Sequence, residues 1–173
     1  NLNKARGTDV SLAFNHALIQ LNFSAGLTTG FTYAITNISI SGVNNSGTFT
    51  YSNSIGDWTA QDGTASYAYA GDFNGTITDN VLKLSTGSNA LMLMPQTVPA
   101  GAEISITYTA TANSTNQVTF NGTKKVAIGG VEWKKGSNIC YKLILPTGAE
   151  AITYSTVVNP WGEEDSQDKT TQP

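Results

Sequence analysis

Apolar residues in this chain recur at every second position over short stretches, and nearly every stretch stops at a Gly, Asn, Asp or Pro. Period two is the side-chain period of a strand with one buried face, and a helix cannot gather such a pattern on one side. Ile104, Ile106 and Tyr108 alternate with Ser105, Thr107 and Thr109, which predicts a strand lying between a core and water. Val10, Leu12 and Phe14 share one face, whereas Ala17, Ile19, Leu21 and Phe23 follow in the opposite phase. A phase flip at Asn15-His16 requires a bulge or bend there, because a one-residue slip moves every side chain to the other face.

Further strands are predicted over residues 31–40, 47–51, 81–84, 90–94, 103–111, 117–120, 139–145 and 152–158. Asn45-Ser46-Gly47, Asp62-Gly63, Thr86-Gly87-Ser88, Pro99-Ala100-Gly101, Asn121-Gly122 and Thr147-Gly148 read as turns, since these residues tolerate positive φ or preset turn geometry. The continuous apolar run Leu91 to Met94 predicts a strand covered on both faces. Residues 52–80 are the least regular and read as an insertion or a long loop pair. With 173 residues, short strands and no convincing long helix, one all-β domain built as a two-sheet antiparallel β-sandwich is the economical architecture. The expected divisions are a linker over 1–9, a sandwich over 10–162 and an acidic polar tail over 163–173.

Composition narrows the function classes. Charged residues are 12% of the chain, about half the usual share, and Thr, Asn, Ser and Gly make up the balance. Such a polar, weakly charged surface fits an exported or cell-surface β protein. The net charge of -3 and the scatter of nine Lys and Arg argue against nucleic acid, which demands a basic stripe. Paired lysines at 124–125 and 134–135 read instead as guards of strand edges. Cys140 is the single cysteine, so no internal disulfide forms, and between Ile139 and Tyr141 it reads as an inert strand thiol. No apolar stretch approaches the roughly 20 residues that span a bilayer. The first residues lack a signal-peptide core, so export implies either a signal that has been removed or a sequence that is a mature or trimmed fragment.

No catalytic or metal constellation stands out. His16 is the sole histidine, and its place at the phase flip suits a structural imidazole better than a triad base. Zinc needs several Cys or His at short spacing, and this chain has one of each. Around Asp72-Phe73-Asn74-Gly75 and Asp79 the glycine and the missing bidentate Glu fall out of step with a calcium loop, and a hairpin turn explains the segment. Neither a cofactor nor a metal is expected, and nothing singles out two of the twelve acids for glycoside cleavage. Trp58, Tyr67 and Tyr69 are candidate ligand-facing aromatics for carbohydrate stacking, while Trp133 reads as an anchor packed under its turn.

The order of motifs adds a resemblance. Phe14-Asn15-His16-Ala17, then Ser41-Gly42-Val43 with Gly47-Thr48-Phe49, then Trp58, then Leu91 to Gln96, and finally Trp133, Gly136, Tyr141 and Leu143 follow one another along most of the chain. In that order they resemble the fimbrillin-like (Mfa-like) proteins of Bacteroidales. The resemblance implies a transthyretin-like, Greek-key sandwich, corresponding to the C-terminal half of the family's two-domain subunits. It also implies a structural or adhesive pilus subunit that is not an enzyme, located at the cell surface, fimbrium or outer membrane. Its partners would be other fimbrial subunits, with host glycan or protein as further candidates. Membrane attachment would depend on a lipid anchor upstream of these residues.

Two site expectations complete the reading. The resemblance implies trimming by an arginine-specific protease and makes Arg6, before Gly7, a candidate site for it, although the position also reads as an ordinary interdomain linker. Ile152, Tyr154, Thr156 and Val158 mark the strand most suited to exchange between subunits, since a donated strand satisfies the open backbone groups of a sheet edge. The rival reading is a surface lipoprotein that binds carbohydrate or host protein through its aromatic loops, and a hydrolase comes third.

Overall fold

The computed structural model describes residues 15–52, 55–75 and 77–161. The described residues contain strands, turns and coil but no helix. Strands are numbered in chain order. The larger sheet runs β14 (Thr153–Pro160), β13 (Ser137–Ile144), β1 (Ile19–Gly26), β7 (Val81–Lys83), β6 (Ile77–Thr78), with β8 (Leu91–Leu93) paired to β1 beside β7. A four-stranded sheet runs β11 (Val118–Ala127), β10 (Glu103–Ala112), β2 (Phe31–Val43), β5 (Ala65–Ala68). Two pairs stand apart: β3 (Ser46–Ser52) with β4 (Ile55–Asp62), and β9 (Gln96–Thr97) with β12 (Glu132–Trp133).

Buried residues of the two larger sheets join in one core. Ile19, Leu21 and Phe23 of β1 and Ile139, Tyr141 and Leu143 of β13 meet Ile38 and Ile40 of β2 and Ile104, Ile106 and Tyr108 of β10. Each large side chain taken from water in this way contributes about 1.5–3 kcal/mol before its entropy cost. The predicted alternation of β10 is realised, with Ile104, Ile106, Tyr108 and Ala110 buried and the intervening residues partly exposed. On β2 the register shifts at Thr107/Tyr108 of its partner, so Thr36 is the extra residue that brings Ile35 and Ile38 to the same side. Gly42 sits at a second irregularity with φ +77, where a Cβ would lie 2.9 Å from Ala102 Cα and Gly101 O.

Several expectations are corrected. The arrangement is not wholly antiparallel, because β1 and β13 run parallel from Gln20↔Asn138 to Gly26↔Ile144. Parallel neighbours need a long crossover, and more than a hundred residues of the chain, including the whole four-stranded sheet, lie between these two strands. Residues 52–80 are not a loop pair, since β4 and β5 lie within them; their alternation is faint because β4 faces the core with neither side. Asn121-Gly122 is not a turn: β11 continues through it, with Gly122 opposite Tyr108. The Leu91 to Met94 run is not covered on both faces throughout: Met92 is half exposed, while Leu93 and Met94 are buried. The bend before β1 lies at Ala17–Leu18, close to the predicted flip. Val10, Leu12, Phe14, Arg6, the 1–9 linker and the 163–173 tail lie outside the described residues.

Candidate functional site

Each larger sheet ends in a long outer strand. β14 is the terminal strand of its sheet, and it pairs with β13 without interruption from Thr153↔Ile144 to Pro160↔Ser137. Its sequence, TYSTVVNP, carries no charge. The predicted exchange residues lie along it. Ile152 is buried in the core just before the strand, the Tyr154 ring packs 5.3 Å from that of Tyr141, Thr156 lies opposite Tyr141, and Val158 is 58% exposed. They share one side because they fall at alternate positions. At the far edge of the other sheet, β11 bears Lys124 and Lys125. Lys125 pairs with Glu103, while Lys124 reaches the Glu150 carbonyl and lies 4.5 Å above the Phe120 ring.

The sheet under β14 is held firm. Trp133 donates its indole N–H to the Tyr141 hydroxyl at 3.0 Å, and both side chains are buried, which realises the predicted anchor. Burial pushes the Tyr141 phenol up to about 12, because the phenolate would lose its water; the Trp133 bond opposes this and the nearby Tyr154 adds to it. Tyr108 donates to the Pro146 carbonyl at 2.6 Å, and its phenol is raised too, chiefly by burial.

The predicted ligand-facing aromatics do not share one surface. Tyr69 is 2% exposed, stands edge-on to Phe23 with centroids 4.8 Å apart, and places its hydroxyl against Asn22 and Asn89. Its expected role at a ligand is therefore corrected: the hydroxyl fills the stretch of the β1 edge between β8 and β7, and burial raises its pKa. Tyr67 lies opposite Ile40 on β5 and packs partly on the core. Trp58, on β4, leans on Phe49 at 5.2 Å and donates to the Ala17 carbonyl at 2.7 Å.

Two grooves flank the β3–β4 hairpin. One, of about 540 Å³, runs between β4 and the β9–β12 pair and includes Trp58, Gln61, Gln96 and Lys134. The other, of about 680 Å³, lies between the hairpin and the end of the larger sheet and is walled by Phe49, Tyr51, Ile55, His16 and Trp161. His16 stacks on Trp161 with centroids 4.0 Å apart and planes within 6°. The Trp161 amide donates to Gly136 O at 2.8 Å and the Gly136 amide to Leu18 O at 3.0 Å, so this stack joins the approach to β1 to the end of β14. Lys135 hydrogen-bonds Gly56 O and lies 3.9 Å from Asp57.

Sequence reasoning missed the hairpin's exposed apolar residues, Tyr51 (70%), Ile55 (64%) and Phe49 (42%), because they were scattered among Gly, Ser and Thr. It also missed Gln96, whose amide accepts from Asn44 N at 2.9 Å and donates to Asn44 O at 3.2 Å, clamping the end of β2. Cys140 is buried with its sulfur 3.7 Å from Ser24 Oγ. Asp72 accepts from Asn74 N at 3.1 Å, as in a tight turn. Among the described residues no three His, Cys, Asp or Glu side chains converge as metal ligands. What the surface offers chemically is strand pairing and ring contact.

The family described as fimbrillin-like matches residues 1–161. No curated protein matches the chain. A crystal structure of a fimbrial protein from Bacteroides vulgatus ATCC 8482 is similar with a TM-score of 0.59 and 17% identity, over 85% of this chain and 55% of that one. A candidate cell adhesion protein from Bacteroides uniformis ATCC 8492 gives a TM-score of 0.49 and 17% identity, over 88% and 53% respectively. The chain thus spans about half the length of both.

Proposed function

Because the chain belongs to the fimbrillin-like family, we propose that it is a structural and adhesive subunit of cell-surface fimbriae that joins its neighbours by β-strand complementation. The observation that carries this reading is β14: an eight-residue, uncharged terminal strand laid over a buried neighbour. An outer strand of that kind presents a row of backbone donors and acceptors that another chain's strand can satisfy. We read the two larger sheets, whose buried faces share one core, as the layers of a transthyretin-like Greek-key sandwich. On this reading no bond is made or broken, the partners are other fimbrial subunits, and the location is the cell surface. Attachment to the outer membrane is then the work of a lipid anchor upstream of these residues, and Arg6 is a candidate protease site.

The test is immunogold electron microscopy of the source cells with antibody against this chain. Gold spaced along filaments is expected; gold confined to the cell body would count against a shaft subunit. A second reading, recognition of carbohydrate or host protein, draws on the exposed ring of Tyr51 and the half-buried ring of Trp58 on the hairpin. Replacing both with Ala abolishes binding on a glycan array under that reading and leaves filament formation alone.

A further inference from the structure

The two larger sheets turn different chemistry away from their shared core. On β10 the residues that alternate with the buried ones are Glu103, Ser105, Thr107, Thr109 and Thr111. Register sets Thr123 and Asn121 of β11 on one side of them and Ser41 and Ser39 of β2 on the other, with Ser66 of β5 beyond Ser41. A face of hydroxyls and amides results, because side chains at alternate positions share one side of a sheet. Its polar groups bond one another across strands. Thr107 and Thr123 share a hydroxyl–hydroxyl bond of 2.7 Å, Thr109 donates to Asn121 Oδ1 at 3.2 Å, and Thr32 donates to Asn113 Oδ1 at 2.7 Å. Charge on the face is matched as well, since Lys125 pairs with Glu103.

Of the exposed large apolar residues described, Val118 alone belongs to this sheet, and it stands at the first position of β11. Ile77, Met92, Ile144 and Val158 belong to the larger sheet, and the rest to the β3–β4 hairpin. A partner laid on the hydroxyl face would therefore strip water from polar groups whose bonds are already made, and would bury little apolar surface in return. Serine is depleted at interfaces, whereas aromatic residues and Met gather there. Given the reading of the chain as a fimbrial subunit, on which this rests, we propose that the hydroxyl face stays in water when copies of the chain associate. It forms the outward surface of the assembly, and contacts between copies fall on the parts of the molecule that carry the exposed apolar residues.

Labelling of the full chain with maleimide-polyethylene glycol, soluble and as sedimented polymer, tests it. Thr123→Cys and Ser66→Cys place a thiol on the face, Val158→Cys places one on β14, and the parent with its buried Cys140 supplies the blank. Both face thiols are expected to label in polymer within about twofold of their soluble rate, while Val158→Cys slows about tenfold or more. Slowing of the face thiols to the same degree as Val158→Cys would overturn the proposal. Should Thr123→Cys loosen its strand by losing the Thr107 bond, Ser66→Cys decides by the same criterion. A parent chain that never sediments as polymer would sink the fimbrial reading instead. Labelling of Ser66→Cys is then compared at low and high concentration, equal rates upholding the face as open and slowed rates at high concentration overturning it.

Discussion

The outer strands β14 and β11 differ in backbone as well as in chemistry: β14 pairs with β13 without interruption, whereas β11 skips Thr119 where its register against β10 shifts. Both are long, both pair antiparallel along their inner edge, and both cover strands whose alternate side chains are buried. On β11, Lys124 and Lys125 would lose water if a second strand covered them and would meet like charges if that strand were another β11, and each is already engaged by Glu150 O or Glu103. On β14 nothing is charged and Val158 is open to solvent. Lysine is a common guard against edge pairing. The difference teaches that β11 is guarded twice over, by its lysines and by a break in its pairing register, and that β14 has neither guard.

The largest expected effect comes from the backbone itself. Adjacent residues of a strand point their N–H groups to opposite edges. Of Ser155→Pro and Thr156→Pro, one therefore removes an outward donor and the other a bond to β13. The variant that keeps its circular dichroism spectrum is expected to lose assembly outright, as measured by sedimentation of polymer. Second in size, Val158→Lys gives β14 a guard like that of β11 and should slow assembly about tenfold with little change in melting temperature. Normal growth of that variant would break the comparison. The converse change, Lys124→Thr with Lys125→Thr, removes the charged guards and should produce concentration-dependent self-association by light scattering, weaker than that of the native edge because the register break near Thr119 remains.

The smallest effect concerns the layer beneath. The Tyr141 phenol has a folded value of about 12 against an ordinary 10.0, so the stability it contributes is complete below pH 10 and is lost as pH rises toward 12. Melting temperature is expected to fall across that window, and Tyr141→Phe to flatten the fall. A fall unaffected by Tyr141→Phe would place the alkaline transition elsewhere, with Tyr108 under β11 and Tyr69 also raised by burial.

Local pattern was legible in the sequence, and long-range pairing was not. The alternation of β10 and the anchoring of Trp133 follow from which residues seek the core, and each can be read within a few positions. The parallel partnership of β1 and β13 joins segments more than a hundred residues apart, and no local pattern encodes a partner's direction. The β3 half of the hairpin was legible at 47–51, whereas β4 eluded the sequence because it turns neither face to the main core, so its composition follows exposure more than alternation. Tyr69 shows the same limit from the other side: an aromatic among Gly, Asp and Ala looked like a surface ring, yet its hydroxyl finds Asn22 and Asn89 inside the molecule. Of the candidate site, the strand at 152–158 could be placed from its alternation; that it lies at the edge of its sheet emerges only from the topology.

Electron cryo-microscopy of filaments assembled from the mature protein tests the central claim most directly. A strand of a neighbouring subunit hydrogen-bonded along the outer edge of β14 is the predicted result; a filament in which that edge faces solvent and subunits meet through β11 or the hairpin would contradict it.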